Sequence, residues 1–483
     1  MASYQPLTSE NHEEAADTLH TPRYSLEESE DSQLIYSSKR DYAELEVDDS
    51  SAPEEALLRQ DPVDESPSIL RLPTDGGSIF ESFVNMANSI VGAGIIGLPF
   101  AFKEAGLWTG VILLIGLTIV VDWTVRLLIF NGKLASQTTY IDLMDFAFGR
   151  PGRIAISIFS FIFAFGAMCA YCVIIGDTIP HVIRSLVPTI DKIPVLWIFS
   201  NRRICITFFT VTVSWPLSMY RDISKLAKTS ALALSAIFVI IITVLIEGPK
   251  MPAEIRGAPI DPLNFINNEV FQAIGVISFA FVCHHNSFLI FGSLRQPSMN
   301  RFATVTHISL GVSFVTCMTL GLSGFLVFTD KTTGNILNNF PQDNLLINIA
   351  RLAFGLNMFT TVPLETFVCR EVLEHFFWPN EHFNVKRHVL LTTGLVGAAL
   401  LISLTTCNLG FVLELTGGFS ATALSYILPP ACYLKLSGGN LWDRNKLRHW
   451  LCMVFGFVVM VLSTFHSIQK AFSGDDTQTQ CDL

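Results

Sequence analysis

Charge is scarce in this chain of 483 residues: only 15% are Asp, Glu, Lys or Arg, where a soluble globular protein carries about 25%. With 50% hydrophobic residues and a mean hydropathy of +0.46, that shortage excludes an ordinary soluble enzyme and points to a membrane. Other absences narrow the class. No Asn-x-Ser/Thr sequon occurs, which favours an internal membrane over a glycosylated cell surface. No basic, apolar, small-residue pattern opens the chain, so the first apolar helix is expected to act as the membrane signal. No Gly-x-x-x-x-Gly-Lys loop and no metal-ligand cluster appear, which argues against an ATP-driven pump or an embedded metalloprotease. A carrier or channel remains, with no cofactor, no catalytic residue and no nucleic-acid partner expected. Disulfides are not expected to matter either: nine of the ten Cys lie in or beside apolar runs and read as buried thiols.

The charge that is present is unevenly placed. Residues 1–78 hold 19 acidic and 5 basic side chains, a net −14, so the total of −11 leaves a body of +3. Rich in Asp, Glu and Ser, residues 1–75 cannot bury enough apolar surface to offset their ordering entropy and are expected to form a disordered tail. Three strings in it resemble endolysosomal sorting signals: Tyr4-Gln5-Pro6-Leu7, Glu30-Asp31-Ser32-Gln33-Leu34-Ile35 and Glu54-Glu55-Ala56-Leu57-Leu58. Sorting adaptors are the partners such a tail implies. With the missing sequons, these strings favour a vacuolar or lysosomal membrane; the plasma membrane and endoplasmic reticulum stay open.

Residues 76–472 form the membrane body and 473–483 a short tail. A spanning helix needs about 20 mostly apolar residues. Eleven such stretches start near Phe80, Leu107, Arg153, Ile204, Ser230, Val270, Thr304, Leu345, Val389, Gly410 and Leu451. With the N-terminus cytoplasmic, the inner loops carry 15 Lys and Arg and the opposite side 9, the asymmetry that marks a cytoplasmic face. The expected class is therefore an all-α integral membrane protein with eleven transmembrane helices.

The first span contains Asn85-Met86-Ala87-Asn88-Ser89-Ile90-Val91-Gly92-Ala93-Gly94-Ile95-Ile96-Gly97-Leu98-Pro99. Gly costs about 1 kcal/mol and Pro about 3 in a helix interior, so a continuous helix is disfavoured. One reading is a small-residue packing face. The other is an unwound hinge, of the kind that holds substrate carboxylates and ions in transporters.

The motif Ser-Phe-x-Asn-x-x-Asn-Ser-Ile-Val-Gly-Ala-Gly-Ile-Ile-Gly-Leu-Pro at Ser82 to Pro99, Ile174-Ile175-Gly176-Asp177 closing the third span and Phe279-Ala280-Phe281-Val282-Cys283-His284-His285 in the sixth together resemble the amino acid/auxin permease family. The likeness is greatest to its sodium-coupled neutral amino acid transporter branch and to fungal vacuolar amino acid transporters. It covers about residues 78–470. The resemblance implies a LeuT-like fold of two inverted five-helix repeats, with helices 1 and 6 broken and an eleventh appended. Only the first break is legible in glycine content. By the same resemblance, the amides of Val91, Gly92, Ala93 and Gly94 receive the substrate carboxylate and carbonyls around Ser278 and Phe279 its ammonium. Phe281 and Tyr171 would shape the side-chain pocket. A sodium site would join Asn88 to Thr360 or Thr361; both threonines also read as backbone-bonded hydroxyls.

Ionisable residues inside the spans are expensive and need partners or a task. Asp122 and Arg126, at i and i+4, read as an ion pair. Arg351, near the start of the eighth span, reads as snorkelling to the interface. Glu365, one turn after Thr361, and Glu414, with no base nearby in sequence, are candidates to carry a proton. His284 and His285 point about 100° apart on a helix, so at most one faces a cavity; His284 is taken as an ion-coupling candidate. Asp177 reads as a wet-face cap or gate. The expected function is secondary active transport of amino acids, neutral ones first, across a lipid bilayer, coupled to protons or sodium. The rival is an amino acid sensor signalling through the tail with little flux.

Overall fold

The computed structural model describes residues 77–190, 193, 196–220, 230–259, 265–379, 381–440 and 442–473. The tail 1–75, its three sorting strings and nearly all of 473–483 lie outside the described residues. Among those described, regular structure is helical, apart from an isolated bridge between Gly77 and Leu294.

The first span opens as α1 (Ile79–Ile90) under a capping box: Ser78 Oγ accepts from the Glu81 N–H and Glu81 Oε2 accepts from the Ser78 N–H. It then breaks. Val91 and Gly92 leave the helix, Ala93–Gly97 make a 3-10 turn, and α2 (Leu98–Ala105) restarts with Pro99 in its first turn. The two halves are bent by 41°. Next come α3 (Leu107–Leu134), the short α4 (Tyr140–Phe148) and α5 (Arg150–Leu186). The fourth predicted span is α6 (Arg202–Phe209), a π-helical turn Thr210–Ser214 and α7 (Trp215–Ser218). The fifth is α8 (Ser230–Glu247).

The sixth span is also broken. Its halves, α9 (Val270–Phe281) and α10 (His284–Ser293), are separated by Val282 in an extended conformation and by Cys283. The remaining helices are α11 (Met299–Phe328), α12 (Leu345–Phe377), α13 (Val385–Thr405), α14 (Leu409–Thr416), α15 (Leu428–Leu436) and α16 (Leu447–Ser473). Two π-helical segments, Gly417–Ala421 and Ala423–Ile427, link α14 to α15.

Among the described residues, nine helices are long and apolar enough to cross a membrane, or ten if the bent α1–α2 pair is one span. The helical run from Arg202 is too short to join them, so this count stops short of eleven. The breaks fall in the first and sixth predicted spans, five apart, as an inverted-repeat architecture requires. They also meet: a Cβ on Gly94 would lie 2.7 Å from Ala280 Cα, so only glycine lets the two backbones approach this closely. Asn286 Nδ2 donates to Ser89 Oγ at 2.9 Å, a second tie between the two spans.

Two expectations about polar residues change. Arg351 does not snorkel; it is fully buried. The α11–α12 connection folds over it, and its guanidinium donates to the carbonyls of Leu337, Phe340 and Pro341 and to Asn348 Oδ1. Replacing it with Met strands these carbonyls, each worth about 1–3 kcal/mol when left unsatisfied. Arg351→Met is therefore expected to lower the melting temperature by several degrees or more in detergent. Of the cysteines among the described residues, eight are free and buried. Cys407 is disulfide-bonded rather than a thiol; it sits in the short turn between α13 and α14, not within an apolar helix. The Asp122–Arg126 pair forms as read, at 2.7 Å, and His307 Nδ1 adds a contact to the same carboxylate at 2.7 Å.

Candidate substrate and ion site

The helix-1 break creates free donors. Among the described residues, no acceptor is bonded to the N–H groups of Gly92, Ala93 and Gly94, because the 3-10 turn takes its first amide only at Ile95, which reaches Gly92 O. Three adjacent unbonded amides at the start of a helical turn are donors of the kind that can receive an anion. Gly92 is half-buried, and a Cβ on it would meet nothing closer than Asn88 O at 3.7 Å. Space therefore lies beside the donors. Val91, Ala93 and Gly94 are buried around it.

The helix-6 break supplies acceptors. Ser278 O is taken by the Val282 N–H at 3.0 Å, and Ser278 Oγ bonds Tyr426 Oη at 3.2 Å. No described donor is bonded to the Phe279 carbonyl. The Phe279 ring centroid lies 5.4 Å from that of Phe163, which is itself 5.0 Å from the His285 ring, both pairs tilted. Phe281 is fully buried. Tyr171, two helical turns after Phe163 on α5, lies within electrostatic reach of Glu365 on α12.

Glu365 Oε2 is buried and has no hydrogen-bond partner among the described residues. One turn earlier, Thr360 and Thr361 both donate to Asn357 O, at 2.9 and 2.8 Å. Pro363 has no N–H, so Phe359 O lacks its usual helical donor. Asn357 O and the two hydroxyls bonded to it are a cluster of oxygens on one side of α12. Asn357 was not singled out in the sequence, although the Asn-x-x-Thr-Thr spacing carries the signal. Asn88 lies in the last turn of α1, half-buried, three residues before Val91.

The other titratable candidates sit elsewhere. His284 is fully buried with its two ring nitrogens engaged by Thr124 and Ser425, at 2.9 and 3.1 Å. His285 is the member of the pair that keeps exposure. Glu414 is buried and accepts from Ser467 Oγ of α16 at 3.3 Å. Asp177 is buried, not at a wet face, and pairs with Arg202 at 3.2 Å. A cavity of about 380 Å³ lies apart from the breaks, at the end of α12, lined by Arg370, Glu374, Trp378 and Arg387 among others.

Residues 75–469 match the family of transmembrane amino acid transporter proteins. The chain belongs to that family. It is 41% identical over 420 residues to vacuolar amino acid transporter 2 of Saccharomyces cerevisiae, covering 85% of this chain and 87% of the relative. It is 37% identical to the putative sodium-coupled neutral amino acid transporter 11 of Danio rerio, covering 80% and 85%. Among solved structures, a manganese transporter mutant of Eremococcus coleocola has a TM-score of 0.53 at 15% identity, covering 86% of this chain and 92% of that one. MhsT in complex with L-phenylalanine has a TM-score of 0.50 at 13% identity, covering 81% and 99%. These two likenesses bear on the fold alone, and the fold is LeuT-like. The protein is thus a multi-pass amino acid transporter of the bilayer, not an enzyme, as its residues and the resemblance they carry imply.

Proposed function

We propose that the protein is a secondary active carrier of neutral L-amino acids that works by alternating access in a vacuolar or lysosomal membrane, with its N-terminus cytoplasmic. The observation that carries this reading is the pair of facing breaks. Unpartnered amides of Gly92 to Gly94 take the α-carboxylate, and the Phe279 carbonyl takes the ammonium. The packed rings of Phe163 and Phe279, with Tyr171 and Phe281 as further candidates to line the pocket, favour an uncharged side chain. The names of the relatives support both halves of the proposal, one vacuolar and one neutral and sodium-coupled.

Ion coupling is assigned to Asn88, Thr360, Thr361 and Glu365. The half-buried Glu365, whose Oε2 is buried without a described partner, suits a proton carrier, and the oxygens one turn earlier suit sodium; we favour the proton. His284 and Glu414, bridged to Thr124, Ser425 and Ser467, act in this reading as joints between helices. Thermal unfolding of the purified full chain against a panel of amino acids tests the substrate class. A ligand at 100 times its dissociation constant adds about 2.7 kcal/mol, so neutral amino acids are expected to raise the melting temperature measurably. No shift with any amino acid at millimolar concentration counts against the reading.

A further inference from the structure

The cavity of about 380 Å³ at the end of α12 is within the size range of small-molecule sites, and its charged lining is unevenly satisfied. Arg387 is neutralised within the protein. Its Nη1 donates to Glu381 Oε2 at 2.6 Å and its Nη2 to His382 O at 3.0 Å, Nε lies 3.7 Å from Glu374 Oε1, and the guanidinium sits 5.1 Å from the centre of the Trp378 ring.

Arg370 is held differently. It is only 3% exposed, yet its described partners are neutral: Nη1 donates to Ser218 O at the end of α7, at 3.0 Å, and to Thr392 Oγ1 of α13, at 2.8 Å. No described carboxylate lies within ion-pair distance of it. Nε and Nη2, which carry three of the five N–H donors of an arginine, have no described acceptor. A buried cation without a counter-charge is costly. One residue on, Glu371 lines the same cavity, is exposed, and makes no hydrogen bond or ion pair with a described residue.

The two unsatisfied charges are opposite, and that selects the ligand. Glu371 and Glu374 are both within electrostatic reach of Arg370, so a lone anion at Arg370 meets two carboxylates and a lone cation at Glu371 meets the guanidinium. A molecule carrying one carboxylate and one ammonium complements both. Its carboxylate gains the charge-assisted, fork-shaped contact that arginine offers. We propose that this cavity is a second amino acid site, separate from the helix breaks, in which Arg370 takes the carboxylate of a zwitterionic α-amino acid and Glu371 its ammonium. Arg370 ties α12 to α7 and α13 and follows Glu365 by five residues on the same helix. A ligand held there bears on the helix that carries the proposed coupling residues.

The test reads the cavity itself, so it can fail without the transport reading failing, and the reverse. A reporter thiol is placed on the exposed wall as His375→Cys in the purified full chain in detergent. Its labelling by a maleimide is followed by peptide mass spectrometry with glycine, L-alanine, L-leucine or L-glutamine added at millimolar concentration. At least one of the four is expected to slow labelling saturably. The protection should persist with Gly92→Val, which fills the carboxylate place at the first break. Its half-maximal concentration should rise about tenfold or more with Glu371→Gln, the loss expected when a charge-assisted bond is removed. Glu371 is exposed, so this change leaves the fold intact. No protection by any of the four overturns the proposal. So does protection that vanishes with Gly92→Val, which would trace it to the breaks, or that Glu371→Gln leaves unchanged. Equal protection by isocaproate, which is L-leucine without its ammonium, would mean a simple anion site and also contradicts it.

Discussion

Gly92→Val is expected to weaken amino acid binding by about 100-fold or more, close to 2.7 kcal/mol, while leaving the fold intact. A side chain at Gly92 meets only Asn88 O, at 3.7 Å, so it enters the space beside the three free amides without pushing the backbone. It would occupy the place of the carboxylate. Gly94→Val should behave differently. Its Cβ would fall 2.7 Å from Ala280 Cα and 2.8 Å from Ala280 Cβ, so the two breaks must separate. Overpacking of this kind costs about 1–3 kcal/mol or more, and both the melting temperature and binding are expected to fall. Calorimetric binding and thermal unfolding of the two variants side by side separate a site glycine from a packing glycine. Equal behaviour of the two variants would contradict the assignment of Gly92 to the substrate space.

Glu365→Gln is expected to reduce uptake driven by a pH gradient by about 100-fold or more, the range ascribed to a positioned proton-transfer group. Gln keeps the size and hydrogen-bonding capacity of the carboxyl but cannot shuttle a proton. Equilibrium binding of substrate should change far less than uptake. The expected split therefore distinguishes coupling from a packing defect, which would lower both. Thr361→Val, by contrast, removes a hydroxyl from the oxygen set around Asn357 and bears on any sodium dependence. Uptake measured for both variants under each gradient assigns the ion.

Much of this was legible in the sequence for identifiable reasons. Glycine and proline spacing revealed the break at Val91–Gly94, because both residues disfavour a helix through known backbone effects. The break at Val282–Cys283 has neither residue; the run Cys283-His284-His285-Asn286-Ser287, unusually polar for a span, was the available signal. The π-helical segments after α14 follow Gly417-Gly418, but their geometry depends on tertiary contacts: Gly417 packs on the Gly275 backbone and Gly418 on Ser463. Arg351 and Asp177 were misplaced for one reason. Position near a helix end suggests water, yet the 332–340 connection folds back and covers both. Such a fold-back pairs residues more than 150 positions apart, Asp177 with Asn335 and Asn338, and no local pattern announces it.

The central claim is that the facing breaks move an amino acid by exchange with an ion gradient. Uptake of radiolabelled neutral amino acids by the purified full chain in liposomes, under a pH gradient and separately under a sodium gradient, tests it directly. The account predicts saturable uptake above equilibrium under at least one gradient, larger with protons, and its loss in Gly92→Val. Absence of uptake under both gradients, in protein that is folded and inserted, would contradict it.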